Sequence, residues 1–206
     1  MPLNDPDRLF PIDPRQRDMT RALYQSVADL PIISPHGHCD PQWFAEDKRF
    51  GNPAELFVIP DHYVFRMLVS QGVPMADLGI PRADGGAVER DPRQIWNRFA
   101  AHYHLFRGTP SSIWLDHAFE HVFGIDQVLS PETAGVIYDQ IEAQLATDAF
   151  RPRALFDGFN IELLATTEGA LDDLKWHKVI ADSGWQGRVI TTYRPDAVVD
   201  PDFEGF

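Results

Sequence analysis

An α/β fold with parallel strands is what this sequence predicts, and three features predict it. Short apolar runs near residues 31–35, 161–167 and 187–192 end in polar residues. The last two flank a helical stretch from Leu171 to Val179, giving a β–α–β unit whose strands normally lie parallel. Between the first run and the second, from Arg93 to Ala149, apolar residues recur mostly at three and four, the period of packed helices. Apolar strands that finish in polar residues suggest a site at the C-terminal edge of the sheet.

The elements follow in chain order. Residues 1–17, rich in Pro, Asp and Arg, read as an irregular lead-in. Leu23, Val27 and Leu30 fall at helical spacing and predict a short helix over Asp18 to Leu30. Pro31 opens the first strand and Pro35 closes it, since neither nitrogen can donate to a ladder. Pro41 sits in the first turn of a helix, a position that tolerates its missing N–H. Asn52-Pro53 starts another short helix, and Asp61 N-caps a third that begins at His62. Residues 74–92 are loop-like. Ile95, Phe99, Tyr103 and Phe106 then mark one helix, and Ile113, Leu115, Phe119 and Val122 a second. Ser130-Pro131-Glu132-Thr133 caps a helix carrying Val136, Ile137, Ile141 and Leu145. The second strand is Ile161 to Thr167. Glu168-Gly169-Ala170 turns into the next helix, and Gly187 to Thr192 is the third strand, ending at Tyr193-Arg194-Pro195-Asp196.

The segment closing the first strand is Pro35-His36-Gly37-His38-Cys39-Asp40. Side chains at i and i+2 of an extended segment point the same way. His36 and His38 can therefore converge on one point, and Gly37 leaves room for close approach. Neutral imidazole is a common ligand for zinc and similar metals. A lone His-x-His is also a common chance pairing, so on spacing alone the pair reads either as half of a metal site or as two unrelated histidines. His102 and His104 have the same spacing inside a helical stretch, where such a pair diverges around the axis, and read as structural. Cys39 reads as a small apolar residue beside the pair, with a ligand role as the alternative. His62 and Tyr63 fall in the first turn of a helix, whose partial positive charge favours a nearby anion.

Composition narrows the function classes. The chain has 206 residues with 44% hydrophobic content, that of an ordinary globular protein. Its 18 basic and 31 acidic residues give a net charge of −13, which argues against binding nucleic acid or an anionic membrane surface. A single cysteine rules out an internal disulfide and fits a reducing compartment. The first residues lack the basic and apolar regions of a signal peptide, and no apolar run is long enough to span a bilayer. A cytoplasmic protein is expected. Three parallel strands cannot close a barrel, and an open sheet of three leaves long edges. The expectation is therefore the N-terminal part of a larger protein.

Four segments together resemble the uronate (glucuronate) isomerase family of the amidohydrolase superfamily. They are Pro35-His36-Gly37-His38 with Ala45 to Phe50 and Asn52; Asp61-His62-Tyr63 with Arg66; Leu164-Ala165-Thr166-Thr167 with Asp172-Asp173-Leu174 and His177; and Tyr193-Arg194-Pro195-Asp196. The resemblance implies the N-terminal part of a distorted (β/α)8 barrel. Residues 1–74 would hold the first barrel strand and flanking helices, 75–155 a helical insertion, and 156–206 strands two and three with the helix between them. It implies reversible aldose–ketose isomerisation of hexuronates, glucuronate to fructuronate and galacturonate to tagaturonate. His36 and His38 match the metal-binding histidines, usually of a zinc site, and the family's aspartate ligand would lie beyond residue 206. His62 and Tyr63 match a substrate-contacting pair implicated in proton transfer. Arg194 matches the arginine that holds the substrate. A hexuronate is the expected partner, and assembly into a homo-oligomer stays open. The chain departs from the family at Glu168-Gly169-Ala170, where acidic residues and a proline are usual. The alternatives are a metal-dependent hydrolase on the same barrel, or a non-catalytic interaction module formed by these 206 residues.

Overall fold

The computed structural model describes residues 3–202. Two compact units emerge. One contains the residues up to Arg17 together with Phe50–Thr147, and the other contains Asp18–Arg49 together with the residues from Asp148 onward.

The first unit is helical. Helix α3 (Pro53–Phe57) is capped by Asn52, whose side chain accepts from the Glu55 amide, and α4 (His62–Ser70) by Asp61. Asp91 caps α5 (Pro92–Ala101), again with proline at the first helical position. Helix α6 (Pro110–His117) starts at Thr109 and continues into a π-helical turn over Ala118–Val122. Helix α7 (Ala134–Leu145) begins just after the expected Ser-Pro-Glu-Thr segment. There the Thr133 hydroxyl accepts from the Ser130 amide instead of capping the helix. Most of the predicted apolar stripes enter the core: Ile95, Phe99, Tyr103, Phe106, Leu115, Phe119, Ile137, Ile141 and Leu145 are buried, joined by Trp96 and Tyr138, whereas Ile113 and Val122 are only half-buried and Val136 is exposed. Trp96 can be wholly buried because its indole N–H donates to the Ala134 carbonyl at 3.0 Å. Burial also pushes the Tyr138 hydroxyl up to about 12. The lead-in is tied down by Glu120, whose carboxylate accepts from the Leu3 and Asn4 amides.

The 74–92 stretch contains one short 3-10 turn, Met75–Leu78. His102 ends α5, and its Nδ1 lies 2.7 Å from the Arg98 carbonyl. A carbonyl only accepts, so this ring donates from Nδ1, and its role is structural.

The second unit carries the sheet. Strands β1 (Ile32–Ser34), β2 (Ile161–Gly169) and β3 (Arg188–Arg194) lie in that order, all parallel. Helices α2 (Pro41–Glu46), α8 (Pro152–Gly158) and α9 (Lys175–Asp182) pack with it around Phe44, Phe156, Leu164 and Ile180. Trp185 stacks on Phe44 with ring centroids 5.9 Å apart. The Arg153 guanidinium covers that indole at 5.1 Å and donates from Nε to the Phe44 carbonyl at 2.8 Å. On the opposite side the sheet leaves Ile33 and Ile190 exposed.

Several boundaries differ from expectation: β3 runs to Arg194 rather than Thr192, and the stretch expected as one helix over Ile95 to Phe106 is α5 followed by a 3-10 turn at Tyr103–Phe106. Helix α1 runs Pro14–Gln25, earlier than predicted, because Asp13 accepts from the Gln16 amide and Pro14 opens the first turn. Leu23, Val27 and Leu30 are exposed, so their spacing did not mark a buried face in this unit. Strand β2 runs two residues past Thr167. With no proline after Thr167, the ladder continues through Glu168↔Tyr193 to Gly169↔Arg194, and α9 starts only at Lys175. A final short helix, α10, covers Asp196–Val199.

Candidate functional site

Parallel strands bring their C-terminal ends to one edge of the sheet, and the β1 and β3 ends carry three of the singled-out residues. His36 and His38 follow β1, and Arg194 ends β3. The two histidine rings meet with their Nε2 atoms 3.0 Å apart and their planes at 67°. This is the convergence that i, i+2 spacing at a strand end predicts. Two neutral rings satisfy that distance by sharing one proton. The same distance fits a pair of adjacent ligands on one cation, since metal–nitrogen bonds of about 2.0–2.1 Å separate neighbouring ligands by about 2.9–3.4 Å. No group of three or more His, Cys, Asp or Glu side chains that could hold a metal occurs among the described residues.

The loop carrying the histidines rests on the sheet. The Gly37 carbonyl accepts from Thr167 Oγ1 at 2.8 Å, and the Pro35 carbonyl accepts from Thr192 Oγ1 at 2.8 Å. A Cβ at Gly37 would come within 3.1 Å of the Ala165 carbonyl oxygen, so glycine permits this approach. Cys39 is half-buried against the Phe44 cluster, and burial pushes its thiol above the ordinary range. It packs as a small apolar side chain.

Arg194 lies beside Asp196, with Nε 3.3 Å from the carboxylate, and both side chains are more than half exposed. Such a pair contributes about 0–1 kcal/mol, so the guanidinium can exchange partners at little cost. Together with Gly169, Asp196 and Ala197 it lines a small surface cavity.

His62 and Tyr63 belong to the helical unit. Asp61 accepts from the Tyr63 amide at 2.8 Å, which sets both side chains in the first turn of α4. Their rings lie 4.3 Å apart, and Tyr63 is 60% exposed and meets Trp114 in a T-shaped contact.

Sequence reasoning passed over a polar cluster at the end of β2. Thr166 is fully buried, and its hydroxyl reaches Glu168 Oε2 and His177 Nε2, each at 2.8 Å, and the Ile190 carbonyl at 3.1 Å. A hydroxyl has one proton to give, and carboxylate and carbonyl only accept. His177 must therefore donate from Nε2. Its Nδ1 is buried and makes no hydrogen bond among the described residues. The cavity above is lined by Asp40, Glu168, Asp172, Trp176 and His177, among others. Its signal in the sequence was a threonine two residues after Leu164, on the strand face that Leu164 buries.

No helix among the described residues is long and apolar enough to cross a membrane. The known proteins that this chain is similar to include uronate isomerases. A uronate isomerase of Mesorhizobium japonicum is 60% identical over 204 residues, covering 99% of this chain and 44% of the relative. One from Rhizorhabdus wittichii is 63% identical over 201 residues, covering 98% and 42%. The crystal structure of glucuronate isomerase from Caulobacter crescentus superposes with a TM-score of 0.91 at 55% identity, covering 97% of this chain and 42% of that one. The chain thus spans less than half the length of the relatives it matches. The glucuronate isomerase family matches from residue 14 to residue 206, and the chain belongs to that family.

Proposed function

We propose that this chain is the N-terminal portion of a distorted (β/α)8 barrel of the amidohydrolase type, working in a uronate isomerase. In it residues 1–74 and 156–206 supply barrel strands and their helices, and residues 75–155 an insertion. The reaction is aldose–ketose exchange, glucuronate to fructuronate and galacturonate to tagaturonate. The observation that carries the reading is the meeting of His36 and His38 at the tip of β1, in a chain whose family match is nearly complete.

Moving a carbonyl between adjacent carbons requires removing a proton from one carbon and placing it on the other, through an enediol. His36 and His38 would hold a divalent cation, zinc by the character of the donors. When bound, it supplies positive charge that orients a carboxylate and a hydroxyl of the sugar acid. Arg194 offers a bidentate fork to a carboxylate, and its weak pairing with Asp196 leaves it free to do so. Tyr63 exchanges a proton with a substrate oxygen as charge develops there, and the exposure of its ring supports that role. His62 beside it supplies a further hydrogen bond to the sugar.

The test uses a protein in which this chain is continued to the full length of its relatives. D-glucuronate and D-galacturonate are supplied, and ketose formation is followed alongside hydrolysis of generic esters and lactones. Ketose formation without hydrolysis is expected. Hydrolysis with no ketose would replace the isomerase with a metal-dependent hydrolase. The 206-residue chain on its own is expected to be inactive, since two histidines leave a metal incompletely held.

A further inference from the structure

His36 and His38 are exposed loop residues, yet their rings meet. The backbone ladder between β1 and β2 ends at Ser34↔Leu164, so it cannot hold the loop that follows. Two side-chain hydroxyls take over there. Thr167 Oγ1 donates to the Gly37 carbonyl and Thr192 Oγ1 to the Pro35 carbonyl, each at 2.8 Å. The two threonines are register partners across β2 and β3. The carbonyls they hold stand on either side of His36. Both donors are β-branched and set in strands, so their side chains have little rotamer freedom to give.

We propose that Thr167 and Thr192 are positioning residues for the His36–His38 pair. They pin the loop on both sides of His36 and keep the two Nε2 atoms within reach of one divalent cation. The proposal rests on the metal reading given above. Groups one step removed from a metal typically change its affinity about 10–100-fold when lost. Here the threonines act on the backbone that carries the ligands, so the lower end applies.

The experiment measures Zn2+ affinity by isothermal titration, with the His36 and His38 ring signals followed by NMR. The variants are Thr167→Val, Thr192→Val, Thr167→Ser, Thr192→Ser, His36→Ala and His38→Ala. Each valine variant should bind Zn2+ about tenfold more weakly. The serine variants, which keep the hydroxyl, should retain most of the affinity. Thr192→Val should leave the metal-free melting temperature unchanged, because its hydrogen bond is exposed and holds a surface loop outside the buried core. Valine variants that bind as well as the unsubstituted protein, while His36→Ala abolishes binding, would overturn the staple and leave the metal reading intact. Equal losses in the valine and serine variants would also overturn it. Zn2+ binding indifferent to both histidine substitutions would remove the metal reading, and the staple with it.

Discussion

Replacing Thr166 with valine is the sharpest test of the polar cluster at the end of β2. The side chain is fully buried, and its hydroxyl serves Glu168, His177 and the Ile190 carbonyl. Valine keeps the shape and deletes the oxygen. His177 Nε2–H then loses its acceptor, and Glu168 Oε2 loses a donor. Their side chains are only 13% and 9% exposed, so water replaces these bonds poorly. An unsatisfied buried group costs about 1–3 kcal/mol. Two such groups would cost more, but His177 Nε2 already lies 3.7 Å from Glu168 and can turn toward it. The added methyl recovers about 0.8 kcal/mol. The balance is a loss of about 2 kcal/mol. For a chain of 206 residues that lowers the melting temperature by about 4–8 °C. Urea unfolding followed by tryptophan fluorescence should show a lower midpoint at unchanged slope, since the exposed surface on unfolding is the same. Thr166→Ser should restore most of the loss. A valine variant within about 0.5 kcal/mol of the original protein would refute the argument, placing Thr166 among ordinary core positions.

Three further outcomes are expected. In the protein continued to the relatives' length, Arg194→Lys should raise KM for glucuronate with a smaller change in kcat, because lysine cannot reproduce a bidentate fork; an unchanged KM would count against a carboxylate contact. In the same protein, Tyr63→Phe should lower kcat by about 10²–10⁴-fold with metal content unchanged, as loss of a proton-exchanging group predicts. Loss of the metal instead would make Tyr63 a ligand or a structural residue. Finally, burial raises the Cys39 thiol above its ordinary value, so it is protonated at neutral pH. Its alkylation by iodoacetamide should be slower than that of free cysteine and rise with pH through a higher midpoint. A lower midpoint would contradict its packing as an apolar side chain.

Local chemistry was legible in the sequence. Asn52 and Asp61 each cap a helix one residue before its first turn, and each acts within three residues of itself. The apolar period from Arg93 to Ala149 became a buried core because helix periodicity follows from the chain's own geometry. The β–α–β unit closed as a parallel pair because a helix between two strands returns the chain to the end at which the first strand began. Where the reading slipped, a competing local signal was present. Asp13-Pro14 starts α1 ahead of the Leu23, Val27 and Leu30 spacing. The absence of proline after Thr167 let β2 run on to Gly169.

Residue types and their order decided which groups were available here: two imidazoles beside a glycine at a strand end, an arginine at another, a tyrosine in a first turn. Whether the imidazoles meet was decided elsewhere. Thr167 and Thr192 stand 130 and 157 residues from the carbonyls they hold, and a hydroxyl has no periodicity by which to announce its partner. The buried Thr166 cluster is likewise assembled from β2, β3 and α9. Caps and stripes are set by a few neighbouring residues, whereas the aim of a side chain on a loop is set by whatever distant segment packs beneath it.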